Sequence, residues 1–184
     1  MLSDFQDIFD QSTGVIVNEV GSLKRMLDEF SKFARMPAPQ MVRESLHEVI
    51  EKVVALYSGG HRDIEFQLTL DSSLPLVSID REQMRRAFVN LFDNAIHAME
   101  QRGNIWVSTE VDWKLQHVVI KVADEGPGIR HEDQEKLFMP YFSKRSAGTG
   151  LGLAIVHRIV TDHNGTIQVA NHQPQGALFT LELP

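Results

Sequence analysis

A proline-free amphipathic segment followed by two close prolines constrains the architecture of this chain most. Residues 2–34 carry apolar side chains at alternating three- and four-residue spacings, the pattern of a coiled-coil-like helix. These side chains are Leu2, Phe9, Ile16, Val20, Leu23, Leu27, Phe30 and Ala34, and Gln6 and Thr13 interrupt the first half. Pro37 and Pro39 then stop the helix, because proline lacks an N–H and clashes with the preceding turn. The sequence predicts one long helix over 1–36, a linker over 37–41 and a separate domain over 42–184.

Composition excludes several classes of protein. The chain has 184 residues, of which 42% are hydrophobic, so it can bury one sizeable core. The absence of cysteine excludes a disulfide framework and fits a cytoplasmic location. A net charge of -7 argues against direct nucleic-acid binding, which depends on clustered lysine and arginine. No apolar run reaches the ~20 residues that cross a bilayer, so we expect no membrane contact here, although a longer parent protein could be anchored.

Helices and strands alternate beyond the linker, and the strands form consecutive hairpins. Helical periodicity spans residues 45–57, 80–101 and 151–163, and strand patterns span residues 64–70, 76–79, 104–111, 117–123, 166–170 and 177–183. Asp80 is the expected N-cap of the second of these helices, and Gly165 the expected stop of the third. This order predicts an α+β sandwich with helices on one face of a sheet.

Three polar side chains share one ridge of the 80–101 helix. Asn90, Asn94 and His97 lie at positions i, i+4 and i+7. Asparagine is a mediocre helix former, so two in mid-helix suggest a further use for their amides. One interpretation is a solvated polar face. The other is a Mg²⁺ site, because Mg²⁺ prefers oxygen ligands and a neutral amide does not repel a triphosphate.

A second candidate site, residues 124–129, follows the 117–123 strand. Asp124 is in phase with the apolar residues of that strand, so its side chain faces the core and needs a hydrogen-bond donor. A capping or Asx-turn aspartate is one interpretation. The alternative is a carboxylate that accepts a hydrogen bond from the exocyclic amine of adenine, with Gly126 and Gly128 admitting backbone close to the base.

A third candidate site, residues 148–153, runs directly into the last predicted helix. Its three glycines leave backbone N–H groups free to bind an anion such as phosphate. The pattern is not a Walker A loop, because no Gly-Lys-Ser/Thr follows, nor a dinucleotide fingerprint, because no strand precedes it. Between the glycine segments, the aromatic residues of 138–142 are predicted core. Residues 143–147 have the composition of a mobile lid that brings Lys144 or Arg145 to a terminal phosphate.

The order and spacing of these segments together resemble the N, first-glycine, F and second-glycine boxes of sensor histidine kinases. The boxes correspond to residues 90–95, 124–129, 138–142 and 148–153, and the resemblance covers about 42–184. It implies the Bergerat ATP-binding fold, which gyrase, Hsp90 and MutL share. That fold is a two-layer α/β sandwich in which a mixed sheet has helices on one face.

The resemblance also implies ligands and site residues. The chain would bind ATP and Mg²⁺, with Asn94 as the main metal ligand and Asn90 assisting. His97 would lie near the phosphates, Lys144 would act on the γ-phosphoryl group, and Asp124 would read the adenine. The other residues expected at the nucleotide are Gly126, Gly128, Ile129, Phe138, Phe142, Arg145, Gly148, Thr149, Gly150, Leu151, Gly152 and Leu153.

Residues 16–37 are similar to the second helix of the dimerisation and phosphotransfer domain in nitrogen-regulation-type sensor kinases. That domain carries its phosphoacceptor histidine in a His-Glu-x-x-Asn-Pro motif on a preceding helix. Here His47-Glu48 and His131-Glu132 match only the first two residues of the motif. We therefore expect a truncated chain that lacks the phosphoacceptor histidine and does not phosphorylate itself.

The function implied is transfer of the ATP γ-phosphoryl group to a histidine on the missing helix, of the same or the partner subunit of a homodimer. A response regulator would then receive the group on an aspartate. Two features depart from the family: Ala177, where threonine is frequent, and the short 143–147 lid. One alternative is an ATP-hydrolysing enzyme of the same fold, but Asn90 occupies the position of its glutamate base. The other is a nucleotide-binding or dimerisation module without catalysis.

Overall fold

The computed structural model describes residues 2–57, 59–61, 63–143 and 148–184. The elements in chain order are α1 (Leu2–Ala34), β1 (Val42–Glu44), α2 (Leu46–Tyr57), β2 (Ile64–Leu70), β3 (Val77–Ile79), α3 (Arg81–Ala98), β4 (Gly103–Asp112), β5 (His117–Asp124), α4 (His131–Gln134), α5 (Gly152–Asp162), β6 (Thr166–Asn171) and β7 (Ala177–Leu183). The predicted long helix, its termination before Pro37 and the three domain helices are all present.

Strands β2, β4, β5, β7 and β6 form one mixed sheet in that spatial order. The β2–β4 pair is parallel and the other three pairs are antiparallel. Side chains on one face are buried and those on the other are partly open, as the alternation along β7 shows. Helices α2, α3 and α5 contribute to the same core as that buried face. The α+β sandwich is confirmed.

Three local features differ from the sequence-based expectation. A small antiparallel sheet joins β1 to β3, and β1 was not predicted, because three residues carry no measurable periodicity. Helix α3 ends at Ala98 and not near Gln101, since Glu100 and Gln101 adopt left-handed φ values of 54° and 70°. The short helix α4 lies in a stretch predicted as loop.

The start of α3 is capped as predicted, and its cap has a second role. Asp80 accepts hydrogen bonds from Gln83 N at 3.0 Å and from Gln40 N at 2.8 Å. Burial opposes ionisation of Asp80, but these backbone N–H groups outweigh it and hold the pKa of the carboxyl below its ordinary value. Asp80 thus fixes the linker to α3 while it caps the helix.

Helix α5 ends where predicted, but Gly165 is not the residue that ends it. Asn164 is the left-handed residue, with a φ of 58°, and Gly165 N then donates to Val160 O at 2.9 Å. Glycine is required at 165 for another reason. A Cβ built there would lie 2.3 Å from the carbonyl oxygen of Glu182, so the chain packs too closely on β7 for any side chain.

Helix α1 contacts the domain at its C-terminal end. The guanidinium of Arg158 on α5 lies 5.5 Å from the centre of the Phe33 ring and donates to Phe33 O at 2.9 Å. Met36 is buried, and Gln83 Nε2 on α3 donates to Pro37 O at 3.1 Å. The end of α1 is therefore attached to α5, and the linker is attached to α3. No helix within the described ranges is long and apolar enough to span a membrane.

A buried histidine joins α5 to α3. His163 is 1% exposed; its Nδ1 donates to Ile159 O at 2.7 Å, and its Nε2 accepts from Asp80 N at 2.9 Å. Because the Asp80 amide is a donor, Nε2 carries no hydrogen in this arrangement.

His163→Phe tests this connection. The variant keeps a ring of similar shape but leaves the Asp80 N–H without its acceptor, so the free energy of unfolding should fall by about 1–3 kcal/mol. Urea denaturation measures this change. His131→Phe, at the exposed start of α4, is the control and should change stability by less than about 0.5 kcal/mol. Equal stabilities of the two variants would contradict the role assigned to His163.

Candidate functional site

The polar ridge of α3 lies directly against the first turn of α5. A Cβ built on Gly152 would lie 3.0 Å from Asn90 Oδ1 and 3.7 Å from Asn94 Nδ2. Asn90 Nδ2 donates to Arg86 O at 2.8 Å, so the amide oxygen is the atom directed at α5. The structure thus brings together residues 62 and 58 positions apart in sequence, counting from Asn90 and Asn94 to Gly152.

The start of α5 has features of an anion site. Leu151 occupies the N-cap position, and its own side chain makes no capping hydrogen bond. The first N–H groups of a helix have no acceptor within the helix, so they can bind an external one. Leu151 itself is completely buried in the core, so only its backbone can face a ligand. Leu153 and Thr149 are half-buried, and Gly148 is exposed.

His97 continues the ridge toward solvent. It is exposed, and its Nδ1 donates to Asp93 O at 2.6 Å. Within the described part of the chain its Nε2 makes no hydrogen bond. This tautomer leaves Nε2 free to act on a group beside the ridge.

The ridge is supported by a tyrosine that the sequence did not single out. Tyr57, the last residue of α2, donates through its hydroxyl to Asp93 Oδ1 at 2.8 Å and to Val89 O at 3.3 Å. Burial, followed by the Asp93 carboxylate, raises the pKa of Tyr57 well above its ordinary value, so it remains a donor. Asp93 precedes Asn94, and this bond therefore holds α3 in register against α2.

Asp124 lies at the end of β5 and is 4% exposed, as its phase predicted. Its Oδ1 accepts hydrogen bonds from Gly126 N at 2.8 Å and from Ala177 N at 3.1 Å. Burial raises the pKa of the Asp124 carboxyl above its ordinary value, although those two N–H donors oppose the shift.

The two interpretations of Asp124 are compatible. The bond from Gly126 N is an Asx turn, and it occupies Oδ1 alone. Oδ2 accepts no hydrogen bond from the residues that the structure describes. One oxygen of Asp124 thus organises the loop, and the other remains available to a ligand.

Residues 124–129, here called the 124–129 loop, lie between the end of α3 and the β6–β7 hairpin. A Cβ on Gly126 would lie 3.0 Å from Ala98 Cβ, so the loop packs directly on α3. A Cβ on Gly176 would lie 1.7 Å from Asp124 O, so only glycine permits the hairpin to approach β5 this closely. Gly128, the other glycine that the sequence analysis placed in this candidate site, has a left-handed φ of 75°.

The aromatic segment and the second glycine segment are joined by backbone. Tyr141 N donates to Gly150 O at 3.0 Å, and a Cβ on Gly150 would lie 2.5 Å from Tyr141 C. Phe138 and Phe142 are half-buried, and the Phe138 ring lies 5.5 Å from the His157 ring. The prediction that the aromatic residues of 138–142 are core is wrong for Tyr141, which is 51% exposed. Lys144 and Arg145 lie outside the described residues.

The two histidines that imitate an acceptor motif occupy ordinary positions. His47 Nε2 lies 3.0 Å from Thr109 Oγ1, where β4 passes α2. His131 is exposed at the start of α4. Among the described residues, no three His, Cys, Asp or Glu side chains are grouped to hold a metal ion.

Comparison with known proteins identifies the family that shares this architecture. Residues 79–184 match the model of the family described as histidine kinase-, DNA gyrase B- and HSP90-like ATPase. Nitrogen regulation protein NtrY of Azorhizobium caulinodans is 36% identical over 176 residues, which cover 93% of this chain and 23% of that protein.

Two solved structures share the fold. Full-length ShkA in complex with AMPPNP matches 95% of this chain and 38% of its own, with a TM-score of 0.76 and 26% identity. Histidine kinase ThkA in complex with response regulator protein TrrA matches 92% of this chain and 49% of its own, with a TM-score of 0.77 and 28% identity. This chain thus spans less than half the length of these relatives. It belongs to the family of histidine kinase-, DNA gyrase B- and HSP90-like ATPases.

Proposed function

We propose that this chain is the ATP-binding catalytic part of a two-component sensor histidine kinase. It would transfer the γ-phosphoryl group of ATP to a histidine on another helix, for relay to a response-regulator aspartate. The contact of Gly152 with Asn90 and Asn94 carries the proposal, because it sets two amides beside the N-terminus of α5. The similarity to sensor kinases, one of them in complex with AMPPNP, supports it.

The adenine end of the site would be the 124–129 loop. Asp124 Oδ2 would accept the hydrogen bond of the exocyclic amine, while Oδ1 holds the loop in shape. Gly126 and Gly128 would admit the base close to backbone. Ile129, half-buried against the core, would provide apolar contact at the edge of the pocket.

The phosphate end would lie between α3 and the start of α5. Asn94, with Asn90 assisting, would hold Mg²⁺ through amide oxygens, and the direction of Asn90 Oδ1 fits this role. When bound, Mg²⁺ supplies positive charge that offsets the phosphate oxygens. The N–H groups that begin α5 would bind phosphate, and His97 Nε2 would lie beside it. Lys144 and Arg145 would complete the site from the lid.

Phosphoryl transfer is favoured over hydrolysis. A hydrolase needs a base that takes a proton from water within hydrogen-bond distance. Asn90 would take the position of that base, but a carboxamide is not basic and cannot take a proton; its Nδ2 instead donates to Arg86 O. Phosphoryl transfer to a histidine needs no base to activate the nucleophile, because the unprotonated imidazole nitrogen attacks with its own lone pair and ADP leaves.

The long helix would belong to a dimerisation and phosphotransfer domain. Its described stripe residues are exposed by 42–67%: Ile16, Val20, Leu23, Leu27 and Phe30. Covering a large apolar side chain contributes roughly 1.5–3 kcal/mol, so this stripe favours an apolar partner. A homodimer in the intact protein, with residues 1–36 as one helix of its bundle and 37–41 as linker, would provide it. The resulting kinase would work in the cytoplasm, where ATP and a response regulator are available.

Asp124→Asn tests the adenine assignment. Its amide oxygen would still accept from Gly126 N and Ala177 N, but its NH₂ group would place a donor against the adenine amine, costing about 1–3 kcal/mol of ADP binding. Calorimetry measures the affinity. Asp71→Asn is the matched control, because Asp71 Oδ1 also forms an Asx turn, accepting from Ser73 N at 2.9 Å near the other end of the sheet. Unchanged ADP affinity in Asp124→Asn would refute the assignment.

Asn94→Asp tests the metal assignment. The new carboxylate adds negative charge beside the triphosphate, so affinity for a non-hydrolysable ATP analogue with Mg²⁺ should fall about tenfold, or about 1.4 kcal/mol. Fluorescence titration with and without Mg²⁺ measures it. Asn164→Asp adds the same charge at the far end of α5, in a turn that tolerates aspartate, and should bind normally. Equal affinities in the two variants would exclude Asn94 as a ligand.

Phosphotransfer in trans tests the activity. With radiolabelled ATP the chain alone should gain no acid-labile, alkali-stable phosphate. A separate polypeptide carrying the His-Glu-x-x-Asn-Pro helix should become labelled in its presence. Label on His47 or His131 would contradict their assignment as ordinary histidines, and ATP binding without labelling of the added helix would favour a non-catalytic nucleotide module.

A further inference from the structure

We infer that Asn171 is a positioning residue that holds the far end of the 124–129 loop. The inference rests on the proposed nucleotide site and extends it to a residue outside all four sequence motifs. Asn171 is the last residue of β6, and its Oδ1 accepts a hydrogen bond from Ile129 N at 2.8 Å. That bond spans 42 positions of sequence.

The β6–β7 hairpin holds the loop at both ends with one pair of residues. Asn171 and Ala177 face each other across the two strands. Ala177 N donates to Asp124 Oδ1 at 3.1 Å, at the beginning of the loop, and Asn171 Oδ1 accepts from Ile129, at its end. The distance between the two ends of the loop is therefore set by the width of a paired strand.

The loop between those two points has no room to shift toward the hairpin. A Cβ built on Gly128 would lie 3.0 Å from Asn171 Oδ1 and 3.2 Å from Gly176 O. Gly176 O in turn accepts from His172 N at 2.8 Å, which closes the hairpin. The His172 ring lies 5.3 Å from the Trp106 ring on β4, so the hairpin is itself held to the sheet.

The two attachments differ in chemistry. The bond at Ala177 uses backbone and persists with any residue except proline at that position. The bond at Ile129 depends on a side-chain oxygen, and an apolar residue at 171 cannot supply it. Loss of that oxygen releases Gly126–Gly128 at one end while Asp124 stays in place. The loop then occupies more conformations before a nucleotide binds, and binding must restore the lost order.

This role predicts a particular effect on affinity. The loop lies at the adenine end of the proposed site, so its loosening lowers affinity for ADP and for ATP by the same factor. A residue that acts at the phosphates would instead change the affinity for ATP and the affinity for ADP by different factors. Asn171 is exposed at the end of an edge strand, so its replacement leaves the core intact.

The test compares Asn171→Leu, which has similar volume and no acceptor, with Asn171→Asp, which keeps one. Gln168→Leu, exposed on the same edge strand, is the matched control. Amide hydrogen exchange at Ile129 is measured in the nucleotide-free protein, and affinities for ADP and ATP by calorimetry. In Asn171→Leu we expect exchange at least about tenfold faster, and both affinities about tenfold weaker, or about 1.4 kcal/mol. Asn171→Asp should keep Ile129 protected, and Gln168→Leu should match the unchanged chain.

Unchanged exchange at Ile129 in Asn171→Leu would overturn the inference, whatever happens to affinity. Faster exchange with unchanged affinities would also overturn it, because the bond would then not position the loop for binding. Failure of the unchanged chain to bind ADP would refute the proposed function instead. The exchange measurement, made without nucleotide, would still report whether Asn171 holds the loop.

Discussion

Close approach of backbone to backbone and to side chains is the constraint on which the site depends. Helix α5 begins so close to α3 that a Cβ at residue 152 would already lie 3.0 Å from Asn90 Oδ1. The hairpin can lie on the backbone of Asp124 only because residue 176 has no side chain. Each glycine loses more conformational freedom on folding than another residue would, and the surrounding core offsets that cost. The geometry of such a site depends on glycines, which have no side chain, as much as on its functional groups.

The second feature on which the site depends is that the two carboxylate oxygens of Asp124 have different roles. A buried carboxylate with no partner would be too costly to keep ionised. Two backbone donors on Oδ1 stabilise it without using the whole group, since each carboxylate oxygen accepts independently. The same arrangement that makes burial tolerable therefore also leaves Oδ2 for recognition.

The sequence predicts the parts of this molecule that depend on residues close together along the chain. Periodicity located α1 and the domain helices, and the cap at Asp80 followed from residue type. A three-residue strand and a one-turn helix were missed, because neither is long enough to show a period. Of the candidate site residues, the motifs supply Asn90, Asn94 and Asp124. The contacts that Tyr57, Asn171 and Ala177 make with the site were not predicted, because they span 36, 42 and 53 positions of sequence and no local pattern records such contacts.

The attachment of the linker has a mechanical consequence. Pro37 O accepts a hydrogen bond from Gln83 on α3, and Gln40 N donates one to Asp80, the cap of the same helix. Phe33 O accepts a hydrogen bond from Arg158 on α5. These are the two helices between which the phosphate end of the site would lie. The end of α1 and the linker after it are thus fixed to both helices at separate points. A rotation of α1 about its own axis would therefore act on α3 and α5 directly, through these hydrogen bonds.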